Sequence, residues 1–255
     1  MRRNLLREKL TVGEASLGTH LLSVWPTLVE LVGQSGQFDY VEFSCEYAPF
    51  TMHDLDNLGR ALEVAGLSGM IKIEQTQWTH QAMRAIGSGI QNAIFADIRS
   101  VMLEMGKAMM GTNADYVQAL DAAVVAIMVE KRECVEDLDA ILAVPGIDMV
   151  QFGPADYAMS IGRPGEWTHG EVAAAERRTI EAALARGIAP RVELADPADA
   201  ARYLDMGVRH FCIGWDVSIL HAWWREQGAA MRTLLDGVRP ATAGRAGRRK
   251  RGNYT

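Results

Sequence analysis

Short β-rich runs recur along this chain, separated by longer stretches in which apolar positions return every three or four residues. The runs are Gly18–Ser23, Tyr40–Ser44, Met70–Glu74, Asn92–Ala96, Val124–Glu130, Met149–Gly153, Ala189–Leu194 and His210–Gly214. Several, such as VVAIMVE and FCIG, are apolar without alternation, as strands covered on both faces should be. Leu55–Ala65, Val135–Ala143, Val172–Arg186 and Pro197–Met206 carry helical periodicity. Eight β-rich runs alternating with helices predict an α/β chain closed into a (β/α)8 TIM barrel. An open doubly wound sheet is the competing architecture, but no G-x-G-x-x-G follows any run. The pattern is weakest in two places. The helix after the first run is short and interrupted by Pro26 and Gly33. The segment Met102–Ala114 is methionine-rich, broken by Gly106 and Gly111, and reads as adaptable filler.

A length of 255 residues suits one such barrel. No internal repeat or linker precedes Pro240, so residues 1–239 read as a single domain. Residues 240–255 read as a basic, disordered tail, with Arg245, Arg248, Arg249, Lys250 and Arg251 and no acid. The net charge of −6 argues against nucleic acid as the main partner, the tail being a weak exception. Cys45, Cys134 and Cys212 are an odd, widely spaced set without C-x-x-C, which points to buried thiols in a reducing compartment. The basic N-terminus lacks an apolar signal core, and no run approaches membrane-spanning length. These features predict a soluble, cytoplasmic protein with no membrane partner.

Barrel chemistry sits at the C-terminal ends of the strands. The acids at those places are Glu46, Glu74, Asp97, Glu130, Asp156, Glu193 and Asp216. Uncompensated, such a rim repels itself, and a hard divalent cation held by carboxylates relieves it. Glu130 and Asp156 close neighbouring strands and make the sharpest pair. Asp156 ends Gly153-Pro154-Ala155-Asp156, a turn whose small residues let backbone N–H groups approach an anion. Helix capping, or pairing with Lys131 and Arg132, is the competing account of the two acids.

Glu130, the run VPGIDMVQFGPADYAMSIG (Val144–Gly162) and Gly214-Trp215-Asp216 together resemble the HpcH/HpaI aldolase family, class II pyruvate aldolases of the citrate lyase-like superfamily. Gly18 and VEFSCEYAP (Val41–Pro49) are similar to the same family's early motif, and the resemblance runs from Gly18 to Gly228. It implies a barrel of the phosphoenolpyruvate/pyruvate-binding type, assembled as a homo-oligomer. It also implies Mg²⁺, Mn²⁺ or Co²⁺ on Glu130 and Asp156, acting as Lewis acid on a 2-oxo acid that forms an enolate and meets an aldehyde. Gly153, Pro154 and Ala155 would line the substrate carboxylate, with Trp215 as a wall. The chain departs from the family pattern where its proton is moved. Tyr47 stands in place of the histidine, Lys72 in place of the substrate arginine, Ala85 near an aspartate and Met128 in place of a glutamine.

Lys72 could offer positive charge to an enolate or carboxylate, or form a Schiff base, and Tyr47 could donate a proton. Tyr47 and Lys72 are therefore the catalytic candidates. His20, His53 and His80 are alternative proton carriers, while His169, His210 and His221 carry no motif. The expected activity is a metal-dependent carbon–carbon lyase of aldolase type. A different enolate reaction, or a catalytically weak homologue that binds a metal–oxo acid complex or serves as an interaction subunit, are the alternatives.

Overall fold

The computed structural model describes residues 3–73, 78–95 and 120–236. Glu74, Asp97, Met102–Ala114 and the tail 240–255 lie outside them. The chain divides into two units, Met1–Val217 and Ser218–Thr255. In the first, β1 (Ser16–Leu21), β2 (Tyr40–Ser44), β3 (Ser68–Ile73), β4 (Asn92–Phe95), β5 (Val125–Val129), β6 (Met149–Phe152), β7 (Ala189–Leu194) and β8 (His210–Trp215) pair in chain order. All pairs are parallel and β8 returns to β1, so the predicted barrel is closed.

The period-two alternation of a strand sorts each side chain inward or outward. Outward residues Val41, Phe43, Ile71 and Phe95 pack with Val29 of α2 (Pro26–Gln34) and Leu55, Leu58 and Leu62 of α3 (Met52–Ala65). Across the barrel, Ile127, Val129, Val150 and Phe152 pack with Val172, Ala175 and Ala183 of a helix spanning Gly170–Ala185. Inward, Tyr40, Met70, Ile94, Ala126, Met128 and Met149 fill the lower barrel. The inward positions nearer the C-terminal ends are polar: Glu42, Lys72, Gln151 and Arg191, all buried.

The helices differ from the sequence pattern in instructive ways. The basic N-terminus forms α1 (Leu5–Val12), capped by the Asn4 side chain on Arg7 N–H and ended by Gly13 at φ 72°. Its Leu6 is fully buried among the lower inward residues, and the Arg7 guanidinium meets Asp148 at 2.6 and 2.7 Å. α1 thereby closes the N-terminal face, a role invisible to a scan for charge. Pro26 does not interrupt α2 but occupies its first position, where the missing N–H costs nothing, and the helix runs through Gly33. α3 begins three residues before Leu55, set by a capping box between Thr51 and Asp54. The helix expected over Val135–Ala143 is two short ones, Arg132–Glu136 and Leu138–Leu142, meeting at Asp137. Pro197–Asp199 is a 3₁₀ turn ahead of the helix Ala200–Asp205.

The last helix, Asp216–Asp236, supplies the described part of the second unit. Ile219, Leu220, Trp223, Trp224, Met231, Leu234 and Leu235 recur along it at roughly helical spacing and are exposed. Among the described residues, no helix is long and apolar enough to cross a membrane.

Candidate active site

Two polar clusters occupy the C-terminal half of the barrel. The first gathers the residues singled out in the sequence. Lys72 projects from β3 into the barrel, where its Nζ lies 2.8 Å from Glu46 Oε2 and donates to the Tyr47 hydroxyl at 3.2 Å. The same ammonium sits 4.6 Å from the centre of the Tyr47 ring. Burial disfavours the charged amine, but the Glu46 hydrogen bond and charge prevail and raise its pKa. An amine held protonated is a poor Schiff-base nucleophile, which favours the point-charge role for Lys72. Tyr47 is 52% exposed. Burial of its hydroxyl outweighs the pull of Lys72 and raises its pKa, which makes it a donor rather than a base.

Glu130 follows β5 and is 4% exposed, and its Oε2 is buried without a hydrogen-bond partner among the described residues. Burial pushes its carboxyl up to about 7. Lys72 opposes the rise, and the charges of Asp156 and Glu46 add to it. Asp156 lies in the first turn of a helix over Pro154–Ser160, with Gly153 at its N-cap and Pro154 at its first position. Gly153 is required by close approach. A Cβ built there would stand 2.8 Å from Glu130 Cβ and 3.2 Å from Glu130 Oε2. The orphaned oxygen, the nearby second carboxylate and the room left by Gly153 suit a hard divalent cation. Among the described residues no group of three or more His, Cys, Asp or Glu is arranged as a metal cage, so the candidate set is this pair.

The second cluster was largely missed. Arg191 of β7, Glu42 of β2, His20 of β1 and Glu193 of β7 form a row of alternating charge. Arg191 Nη2 lies 2.5 Å from Glu42 Oε2, Glu42 Oε1 lies 3.0 Å from His20 Nε2, and His20 Nδ1 lies 3.4 Å from Glu193 Oε1. Burial opposes the His20 imidazolium, yet the Glu42 charge wins and its pKa is raised well above 6.5. Burial likewise opposes the Glu42 carboxylate, but Arg191 and then His20 pull it down to about 2. Arg191 also donates to the Tyr40 hydroxyl at 2.7 Å and to the Gln151 side-chain carbonyl. Glu193 reaches the mouth, where the Trp215 indole N–H and the Gln151 amide, at 3.4 Å, donate to it. Trp215 in turn lies 5.0 Å from His20 and 6.4 Å from Tyr47, ring centre to ring centre, and so bridges the two clusters. The overlooked signal was charge at alternate strand positions, Arg191 and Glu193 within PRVE, and Glu42 within YVEFS.

The rim of seven mutually repelling acids is corrected accordingly. Glu46 is paired with Lys72 and Glu193 with His20. Asp216 accepts the backbone N–H groups of Leu22, Ser23 and Val217, tying down the chain after β1. Glu130 and Asp156 are the described rim acids left without such partners. His53 and His80 are exposed on α3 and on the helix Trp78–Ser88, and Ala85 of that helix is fully buried in the core. His169 caps the helix Gly170–Ala185, and His210 meets Ser16 Oγ at 2.9 Å at the foot of β8. His221 is exposed on the last helix.

The fold agrees with the comparisons. The family model described as HpcH/HpaI aldolase/citrate lyase matches residues 19–222. A hydroxypyruvate/pyruvate aldolase of Pseudomonas aeruginosa is 29% identical over 246 residues, 88% of this chain and 91% of that protein. A 4-hydroxy-2-oxo-heptane-1,7-dioate aldolase of Salmonella newport is 37% identical over 134 residues, 52% of this chain and 49% of that one. The solved citrate synthase SbnG shares the fold with a TM-score of 0.85 at 22% identity, over 92% of this chain and 100% of its own. An HpcH/HpaI aldolase/citrate lyase family protein from Burkholderia cenocepacia gives a TM-score of 0.80 at 25% identity, over 90% of this chain and 100% of its own. The chain belongs to the HpcH/HpaI aldolase/citrate lyase family and is, by that membership, a carbon–carbon lyase of aldolase type.

Proposed function

We propose that this enzyme is a divalent-metal-dependent aldolase that handles a 2-oxo acid through a pyruvate-like enolate and joins or releases an aldehyde. The observation that carries the reading is the buried, unpartnered Glu130 Oε2 facing the gap left by Gly153, with Asp156 near enough to raise the Glu130 pKa. A bare buried carboxylate oxygen costs about 1–3 kcal/mol or more unless something compensates it. Mg²⁺, Mn²⁺ or Co²⁺ held by Glu130 and Asp156 supplies that compensation and, when bound, Lewis-acid charge to the 2-oxo acid carbonyl. Gly153, Pro154 and Ala155 open the N-terminal turn of the following helix, whose N–H groups face an acid's carboxylate without a bulky side chain between. Lys72 brings positive charge to the same space, where negative charge builds as an enolate forms. The Tyr47 hydroxyl, which accepts from Lys72 at 3.2 Å, is the proton donor this reading assigns beside that charge.

The exposed apolar residues of Asp216–Asp236 support a homo-oligomer, and the acidic balance supports small molecules rather than nucleic acid as partners. The buried thiols of Cys45, Cys134 and Cys212 support a cytoplasmic enzyme. The test is exchange of pyruvate methyl protons with D₂O followed by NMR, with and without Mn²⁺. Metal-dependent exchange that Glu130→Gln and Asp156→Asn abolish, together with loss of Mn²⁺ binding in calorimetry, is the expected result. A second reading, a weakly catalytic oxo-acid binder, is favoured by Ala85 and Tyr47, which leave the family's proton-moving positions without a base. Mn²⁺ binding without exchange would select it.

A further inference from the structure

We propose that Glu193 and Trp215 form the acceptor subsite of this enzyme, selecting neutral aldehydes that carry hydroxyl groups and rejecting aldehydes that carry a carboxylate. The inference rests on the aldolase reading above and adds the class of its second substrate.

The placement follows from strand register. Val129 of β5 stands opposite Phe152 of β6, and Gln151 of β6 opposite Arg191 of β7. Carried one and two residues onward, the ladder sets Glu130, Gly153 and Glu193 at one level on successive strands. The first and third are about 10 Å apart at ordinary strand spacing. Gly153 puts no side chain between them. A 2-oxo acid held at Glu130 and Asp156 thus has its reacting end within one small aldehyde of the Glu193 carboxylate.

The chemistry of the subsite is set by what already holds Glu193. Two donors hold it, the Gln151 amide at 3.4 Å and the Trp215 indole N–H, and His20 Nδ1 stands 3.4 Å away as its ion-pair partner. Behind His20 the alternating row of Glu42 and Arg191 is buried and cannot swing away. The result is a carboxylate held at the mouth, a third of its side chain exposed and with acceptor capacity to spare. Beside it the Trp215 ring is partly exposed and offers a flat apolar face. An acceptor carboxylate next to an indole face matches a short polyol: hydroxyl groups donate to the carboxylate while C–H groups lie on the ring. A carboxylate on the aldehyde would meet Glu193 at close range and gain nothing from it. This separates the chain from relatives named for a heptane-1,7-dioate product, which bears a second carboxylate.

The experiment compares pyruvate addition to glycolaldehyde and D-glyceraldehyde with addition to succinic semialdehyde, using the full chain with Mn²⁺. The wild type is expected to favour the hydroxylated aldehydes at least tenfold in kcat/KM. Glu193→Gln, which keeps shape but removes the charge, should cut that ratio at least tenfold, mainly through a higher KM for the hydroxylated aldehyde and a lower one for succinic semialdehyde. Trp215→Leu should raise KM for the hydroxylated aldehydes. A wild type that prefers succinic semialdehyde overturns the proposal without requiring any variant to fold, as does an unchanged ratio in Glu193→Gln. Exchange of pyruvate protons in D₂O needs no aldehyde. Its absence from the wild type brings down the aldolase reading and the subsite with it, whereas exchange with the wrong aldehyde preference brings down the subsite alone.

Discussion

Arg191 and Glu42 meet at 2.5 Å within the barrel, both no more than 1% exposed. Two charges so far from water hold only because each compensates the other's lost hydration. Arg191 and His20 keep the Glu42 pKa near 2, well below the ordinary 4.5, despite its burial. A carboxylate whose folded pKa is depressed stabilises fully above its unfolded value and loses that contribution only as pH falls through the folded one. The pair therefore survives throughout the range in which the enzyme would be assayed. Glu42→Gln leaves two buried cations facing a neutral amide and should cost about 3–5 kcal/mol in urea unfolding. Adding Arg191→Met should recover much of the loss, and two additive penalties would show that the residues are not coupled.

His210 also loses stability as pH falls, but in a higher window and because its neutral form, not its charged one, is favoured. Burial, then the charges of Arg191 and Lys9, depress its pKa from 6.5 to about 4. Above pH 6.5 it is neutral in both states. As pH falls from 6.5 to 4 the unfolded chain takes up a proton that the folded chain refuses, so stability drops by about 3 kcal/mol and levels off below 4. His20, with its raised folded pKa, loses stability only as pH rises above 6.5 and leaves this window alone. Unfolding midpoints of wild type and His210→Asn between pH 4 and 7 should converge toward the acid end. Parallel curves would assign the acid sensitivity elsewhere.

Much of this was legible in the chain. All eight strands have their first residue within two positions of the run read from the apolar pattern, and β2 and β7 match at both ends. Strands buried on both faces announce themselves by continuous apolar runs, and a barrel is the arrangement that buries eight of them without an edge. The first polar cluster was readable because motif and register converge: Glu130 ends one strand, Asp156 opens the next helix, and Lys72 points into the barrel from β3, near enough for its charge to act on Glu130. The second was not, because Arg191 and Glu42 are single charges inside apolar strands. Their partners lie 149 residues apart in sequence, and only barrel closure brings β7 across to β2 and β1. The α1 plug was missed for a related reason. Its basic residues read as surface, whereas Arg7 spends its charge on Asp148 and Leu6 carries the burial.

Gly153 tests the proposed metal pair without touching a charge. Gly153→Ala sets a Cβ 2.8 Å from Glu130 Cβ and 3.3 Å from Met128 Cε. The Glu130 Cβ is fixed by its backbone, so the strand or the carboxylate must shift. The expected cost is about 1–3 kcal/mol of stability. A fall of at least tenfold in Mn²⁺ affinity should accompany it, since ligand geometry changes while both acids remain. A substitution that destabilises but binds Mn²⁺ as before would place the ion away from Glu130.

Lys72 and Tyr47 divide the remaining work in a way that kinetics can separate. Lys72 is bound to Glu46 and opposes the rise of the Glu130 pKa, so its charge serves both acids and an incoming oxo acid together. Lys72→Met removes that charge and should raise KM for pyruvate at least tenfold while slowing methyl-proton exchange. Tyr47 contributes a hydroxyl held at 3.2 Å by Lys72 but no charge, and its raised pKa keeps the proton on oxygen at neutral pH. Tyr47→Phe should therefore leave Mn²⁺ affinity unchanged and pyruvate binding nearly so, while exchange slows about tenfold or more, the loss expected for a proton donor. Lys72→Arg sharpens the contrast. Its guanidinium keeps the charge, so substrate binding should return, but the fork geometry no longer points one N–H at the Tyr47 oxygen. Restored KM with slow exchange in Lys72→Arg would assign orientation of the Tyr47 proton to the ammonium. Wild-type exchange in Tyr47→Phe would remove the phenol from the mechanism and leave the charge of Lys72 as the whole of its contribution.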